Sequence, residues 1–375
     1  MLCTPLVTDT DNQAITKYRV SNRLFRAMAY RWSKITGNRY GIGRITALKV
    51  IRLIRKEKPD LVHIHCANGS FVNVYLLMNW LKKNSMPTVL TNHAEFFYTG
   101  NCSYAFDCDR WMIGCGKCPQ KFSIIDTTAK WHRKMQKSFA GFSNLVVTSV
   151  SPWVKSRAEQ SPIMSDLDHR LVENGVDTEI FHSCPREELW QRYGIQPNGR
   201  RIILYVTACF YGDNPQKGSQ YLLRLAEKMA NENVLFVVAG RYVDNVKVPD
   251  NIVLLGRISD QKELAALYST ADLALITSQR ETFSMPVAES LCCGTPFVGF
   301  SAGGPESIAL PEYSEFVEFG DVEQLKDAIL NKWLHFKTPT ISEKISRAGI
   351  QKYDKTNMAS KYLTIYSQIL QDRSK

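Results

Sequence analysis

Short β-branched apolar runs alternate with longer amphipathic stretches along most of the 375 residues, and no other feature limits the fold so tightly. LVHIH (Leu61 to His65), PTVLTN (Pro87 to Asn92) and NLVVTSV (Asn144 to Val150) have the length and composition of strands covered on both faces. Amphipathic segments such as Phe71 to Lys83 lie between them. The pattern restarts with RIILYVT (Arg201 to Thr207), a helix near Gly218 to Ala230, NVLFVVAG, NIVLLG, a helix near Ser259 to Thr270, DLALITS, the helix FSMPVAESLCC, and TPFVGF. Parallel strands need crossover helices, so the alternation predicts two α/β units with parallel sheets. With 44% hydrophobic residues the chain is also too long for one ordinary core. The periodicity lapses near Ser183 to Arg200, which places a first domain over 1–183 and a second over 184–353, with a helix over 354–375 expected to pack back on the first.

Ligands of open α/β sheets sit beyond the carboxyl ends of the strands. The stretch SQRETFSMPVAESLCCGTPFVG (Ser278 to Gly299) falls there, with DLALITS as the strand, QRET as its exit loop and FSMPVAESLCC as the helix. The first free amides of such a helix, with its dipole, form a site for phosphate. Glu281 stands just ahead of the helix and Glu289 inside it; positions eight apart differ by only about 80° around the axis, so both can face one cleft. Carboxylates accept hydrogen bonds from neighbouring sugar hydroxyls, and phosphate donors beside paired carboxylates suit a nucleotide sugar. A plainer reading has one glutamate as a helix-entry charge and the other as a surface residue, although Val287, Ala288 and Leu291 flank Glu289.

The E-x7-E pattern in RETFSMPVAESLCCGTPFV, followed by GGPES (Gly303 to Ser307), resembles the donor-site signature of glycosyltransferase family four. ENGVDTEIF (Glu173 to Phe181), SVSPWV (Ser149 to Val154) and QKG (Gln216 to Gly218) are similar to further elements of that family, in its order. The resemblance runs from about Lys58 to the C-terminus. It implies a GT-B fold, α/β, with two Rossmann-like domains, a donor/acceptor cleft between them, and retaining sugar transfer. The acceptor would bind the N-terminal domain and the nucleotide-diphosphate sugar the C-terminal one. Lys217 would neutralise the diphosphate, sharing the load with the amides of Phe283, Ser284 and Met285. Glu281 would hold donor-sugar hydroxyls, Glu289 the ribose, and Ile258 would lie against the base. His93 would reach the transferred sugar; read without the family, it caps a strand end.

Two departures from the family pattern stand out. Many relatives place an arginine about six residues before the lysine, where this chain has Tyr211; either Arg241 substitutes or diphosphate affinity is weaker. The family also opens with a strand and a glycine-rich loop that MLCTPLVTDTDN lacks, consistent with a late start codon or a trimmed first domain. Cys102, Cys108, Cys115 and Cys118 are spaced C-x5-C-x6-C-x2-C and could bind a structural zinc, or could be reduced thiols packed under Trp111. That block resembles bacterial exopolysaccharide transferases of the colanic-acid type. The resemblance requires no cofactor for catalysis, since GT-B enzymes stabilise the leaving group with cations and helix dipoles; DTD (Asp9 to Asp11) and DCD (Asp107 to Asp109) are read as chance triplets.

Residues 1–60 hold 13 Lys or Arg against four Asp or Glu, a local +9 within a net charge of +11. Such a surface attracts anionic lipid, phosphorylated substrates or nucleic acid, or merely aids solubility. YRVSNRLFRAMAYRWSKI (Tyr18 to Ile35) suits a helix resting on a monolayer or one covering the sheet. Without a recognition-helix pattern a nucleic-acid partner is not expected. A glycan or polyprenyl-diphosphate-linked acceptor at the inner membrane face fits, in bacterial surface polysaccharide assembly. The start has no signal-peptide pattern and no run of about 18 apolar residues spans a membrane, which points to the cytoplasm and to reduced thiols. The alternatives are a degenerate or truncated GT-B protein that binds without turnover, and a nucleotide-sugar epimerase.

Overall fold

The computed structural model describes residues 2–3, 16–67, 69–186, 188–210, 216–243 and 246–372. The Asp9 to Asp11 triplet and Tyr211 lie outside the described residues. Residues 1–150, 154–171 and 364–375 make one compact unit, and 151–153 with 172–363 the other.

In the first unit, β1 (Leu2–Cys3) pairs in parallel with β2 (Tyr18–Arg19), ahead of the first strand expected from sequence. The main sheet has the order β3 (Val62–Ile64), β4 (Thr88–Asn92), β5 (Leu145–Ser149), β6 (Asp168–Leu171), all parallel. Strands β4 and β5 are buried at every position, as their uninterrupted apolar runs require. Helix α1 (Arg23–Thr36) starts where the Asn22 side chain accepts from the Phe25 amide at 2.8 Å, and it ends at Gly37 in the left-handed region. Helix α2 (Arg44–Glu57) buries Ala47, Val50, Ile51 and Ile54.

The second unit holds a six-stranded parallel sheet of order β12 (Ser314–Val317), β11 (Phe297–Phe300), β10 (Leu273–Ile276), β7 (Arg201–Phe210), β8 (Val234–Tyr242), β9 (Ile252–Gly256). The strand order switches between β7 and β10, the point at which open α/β sheets form a crevice at the carboxyl ends of their strands. The helices over Ser219–Lys228, Gln261–Thr270 and Met285–Cys292 stand where the periodicity predicts them. One face of the sheet closes on Leu222, Leu225, Leu325 and Trp333. Among the described residues no helix is long and apolar enough to cross a membrane.

Leu225 is fully buried in this cluster. Leu225→Ala is expected to cost about 2–5 kcal/mol in urea unfolding of the full chain, because the close-packed helix cannot collapse onto the vacated volume.

Candidate active site

Lys217, Glu281, Phe283, Ser284 and Met285 line one cavity of about 310 Å³ at the carboxyl end of β7 and β10. Lys217 Nζ donates to Glu281 Oε1 at 2.6 Å. Backbone on both sides places this ion pair. Gly218 follows Lys217 with φ +68°, and a Cβ there would stand 1.8 Å from the Thr277 carbonyl oxygen. The Thr277 hydroxyl donates to the Gly218 carbonyl at 2.9 Å, and the Tyr205 hydroxyl to that of Lys217 at 2.7 Å. Only glycine tolerates so close a backbone approach, which accounts for the QKG sequence.

Glu281 is fixed by the GGPES segment. Its amide donates to Ala302 O at 3.0 Å and its carbonyl accepts from Gly304 N at 2.9 Å. A Cβ on Gly304 would lie 2.4 Å from the Thr282 carbonyl carbon. Glu306 accepts from the amides of Ala302 and Gly303 at 3.0 and 2.7 Å, so its role in the motif is to hold this loop.

The helix Met285–Cys292 points its start at the same cavity. Ser284 precedes it with φ +79°, a left-handed conformation unusual for serine, and its buried hydroxyl has no hydrogen-bond partner among the described residues. An orphaned hydroxyl, the free amides of a first turn and a lysine together form a receptor for an anionic oxygen.

Ile258 lines a neighbouring cavity of about 320 Å³ with Arg241 and Arg257. The wall Val206, Thr207, Ala208 is common to both cavities. Glu289 is not among the residues lining either one. Its Oε2 accepts from the Tyr268 hydroxyl at 3.3 Å, and burial raises its carboxyl to about 7 despite that hydrogen bond. Asn174, Tyr205, Thr207 and Thr282 also line the first cavity. Asn174 lies inside ENGVD and Thr282 inside RETFSMPVAES, whereas no motif marked Tyr205 or Thr207.

In the first unit, His93 follows β4 and shares a 2.8 Å hydrogen bond between its Nε2 and His65 Nδ1. His63 bonds Thr91 through Nε2 at 2.7 Å and the Tyr366 hydroxyl through Nδ1 at 2.6 Å. Burial, with His65 and His93 nearby, pushes His63 down to about 3; burial, with His65 nearby, pushes His93 down to about 4. Burial lowers His65 as well, so that in the His65–His93 pair one neutral ring donates and the other accepts.

The Cys102 thiol meets the Cys118 sulfur, and that hydrogen bond pulls Cys118 down to about 6. Burial raises Cys115 to about 12, and its sulfur lies 3.7 Å from the Thr99 carbonyl oxygen. All four thiols of the block are free of disulfides, and among the described residues no group of three or more His, Cys, Asp or Glu is gathered as a metal-binding set.

Two α/β units with parallel sheets are the architecture of the GT-B fold. Residues 16–180 match the family described as Glycosyltransferase Family 4, and residues 187–351 match Glycosyl transferases group 1. The chain belongs to the glycosyltransferases of GT-B fold and is a transferase enzyme. It is 24% identical over 360 residues to N-acetyl-alpha-D-glucosaminyl L-malate synthase of Bacillus anthracis, covering 90% of this chain and 84% of that one. It is 21% identical over 368 residues to an uncharacterized protein of the cps region of Klebsiella pneumoniae, covering 96% and 92%. HepE of Anabaena, solved in complex with UDP, shares the fold with a TM-score of 0.61 at 16% identity, over 86% of this chain and 82% of that one.

The raised carboxyl of Glu289 has a pH signature. A folded-state value of about 7 above the ordinary 4.5 means that its contribution to stability is fully present below 4.5 and is lost as pH rises through 7. Glu289→Gln is therefore expected to raise stability by about 1–2 kcal/mol near pH 8 and by much less below pH 5. Thermal unfolding across that range checks this; a gain independent of pH would contradict it.

Proposed function

We propose that this enzyme transfers a sugar from a nucleotide-diphosphate sugar to a glycan or polyprenyl-diphosphate-linked glycan, with retention of anomeric configuration, in bacterial surface polysaccharide biosynthesis. The convergence of Lys217, Glu281 and the Ser284 helix start on one cavity carries this reading. The UDP held by HepE and the cps-region origin of the Klebsiella relative support it.

The residues divide the work by chemistry. Lys217 and the amides of Phe283 to Met285 take up the charge that develops on the diphosphate as the anomeric C–O bond breaks. Glu281, a hydrogen-bond acceptor when ionised, holds sugar hydroxyls, whereas Glu289, bonded to Tyr268 and lining neither cavity, is given no contact with the ribose. Ile258 offers an apolar side to the base, with Arg241 in the same cavity as the cation that stands in for the missing arginine. The acceptor oxygen forms its bond to the anomeric carbon on the face that the diphosphate leaves, and the acceptor proton passes to a departing phosphate oxygen. Atoms and charge balance without a covalent sugar–protein intermediate.

A donor screen tests this reading. One nucleotide sugar is expected to raise the melting temperature of the full chain, and Lys217→Ala to abolish that shift and lower kcat/KM by about 100-fold or more. Anomeric coupling constants of the product, measured by NMR, should match those of the donor; inversion would contradict retention, and an absence of stabilisation by any donor would contradict the function.

A further inference from the structure

The geometry of α1 points to a docking surface for an anionic phospholipid bilayer, and we propose that the enzyme rests on such a membrane through this helix. The helix has its amphipathicity turned outward. At about 100° per residue, Leu24, Met28 and Ile35 fall within about 40° of one another, and Trp32 about 40° further on. All four are exposed, at 72%, 58%, 53% and 58%. The residues facing the protein are instead the small Ala29 and Ser33. Helices that merely cover a sheet bury their large apolar residues.

A second segment extends the same surface. The Ile124 amide donates to Lys34 O at 3.2 Å and the Thr127 hydroxyl to Thr36 O at 3.1 Å, which ties the loop before Thr127 to the end of α1. Ile124 and Ile125 on that loop are exposed at 74% and 68%. Six large apolar side chains are thus exposed, four along the length of α1 and two on the loop tied to its C-terminal end.

Charge complementarity selects the occupant. Residues 16–58 contain 13 Lys or Arg and a single acid, Glu57. Arg31 sits at the edge of the apolar stripe and Lys34 beside it, both exposed. An interfacial helix needs this combination, apolar side chains for the acyl boundary and cations at the level of lipid headgroups. Nucleic acid would use the cations but gain nothing from Leu24, Met28 and Ile35. A second copy of the chain would set like charges against each other. The surface bears on the lipid-linked acceptor proposed above, yet it stands on these side chains and is tested without turnover.

The test is co-sedimentation of the full chain with vesicles of phosphatidylcholine alone and of phosphatidylcholine mixed with phosphatidylglycerol. Binding is expected only to the anionic vesicles, weakening as salt rises. Met28→Asp combined with Ile35→Asp should reduce it by about tenfold or more while leaving the melting temperature and any donor-induced shift intact. Brominated lipid should quench the fluorescence that Trp32→Phe removes. Equal or absent binding to the two vesicle types, binding indifferent to the double substitution, or a dimer that the same substitution dissolves would each overturn the proposal. Loss of the donor shift alone would count against the donor site and not against this surface.

Discussion

The ion pair between Lys217 and Glu281 is the constraint on which the cavity of the second unit depends. Opposite charges 2.6 Å apart in a partly closed cavity hold each other in place, and neither could be moved without rebuilding the backbone that presents it. Gly218 admits the close pass against Thr277, while Gly304 and Glu306 hold the loop to which Glu281 is bonded. In the proposed function each charge is the other's stand-in ligand, a diphosphate competing for the lysine and sugar hydroxyls for the carboxylate. The cavity is in this way kept polar and ordered before substrate arrives.

Around that pair the parallel sheet does the positioning. The crevice opens where β7 and β10 lie side by side, so the turn after β7 and the exit loop of β10 bring Lys217 and Glu281 together across 64 positions of sequence. The helix Met285–Cys292 adds free amides, while its one carboxylate, Glu289, does not line the cavity. The orphaned Ser284 hydroxyl and its left-handed backbone are local costs, about 1–3 kcal/mol for the backbone, that the tightly packed sheet can bear at a functional site.

Much of this architecture was legible in the sequence because buried parallel strands need unbroken apolar runs. The runs at 87–92, 144–150, 201–207 and 272–278 all became strands. Strands β6 and β12 were not legible, since DHRL and SEFV are short and half polar. The E-x7-E spacing located the cavity, but helical geometry alone allowed both carboxylates one cleft, whereas Glu289 is bonded to Tyr268 and Glu281 to Lys217. Residues such as Tyr205 and Thr207 reach the cavity only through sheet register, which no single stretch of sequence encodes. The amphipathic character of α1 was equally visible, but not its direction. Small Ala29 and Ser33 permit close packing inward, and the bulky residues are left outside.

The most direct measurement is calorimetric titration of the wild type and Glu281→Gln with the nucleoside diphosphate of the preferred donor. If Glu281 serves as the counter-ion of Lys217, its neutral replacement releases the lysine and removes a negative charge from the cavity, so the nucleoside diphosphate should bind severalfold more tightly even as sugar transfer is lost. Weaker or unchanged binding would show that the pair does not govern the site, and would contradict the account at its centre.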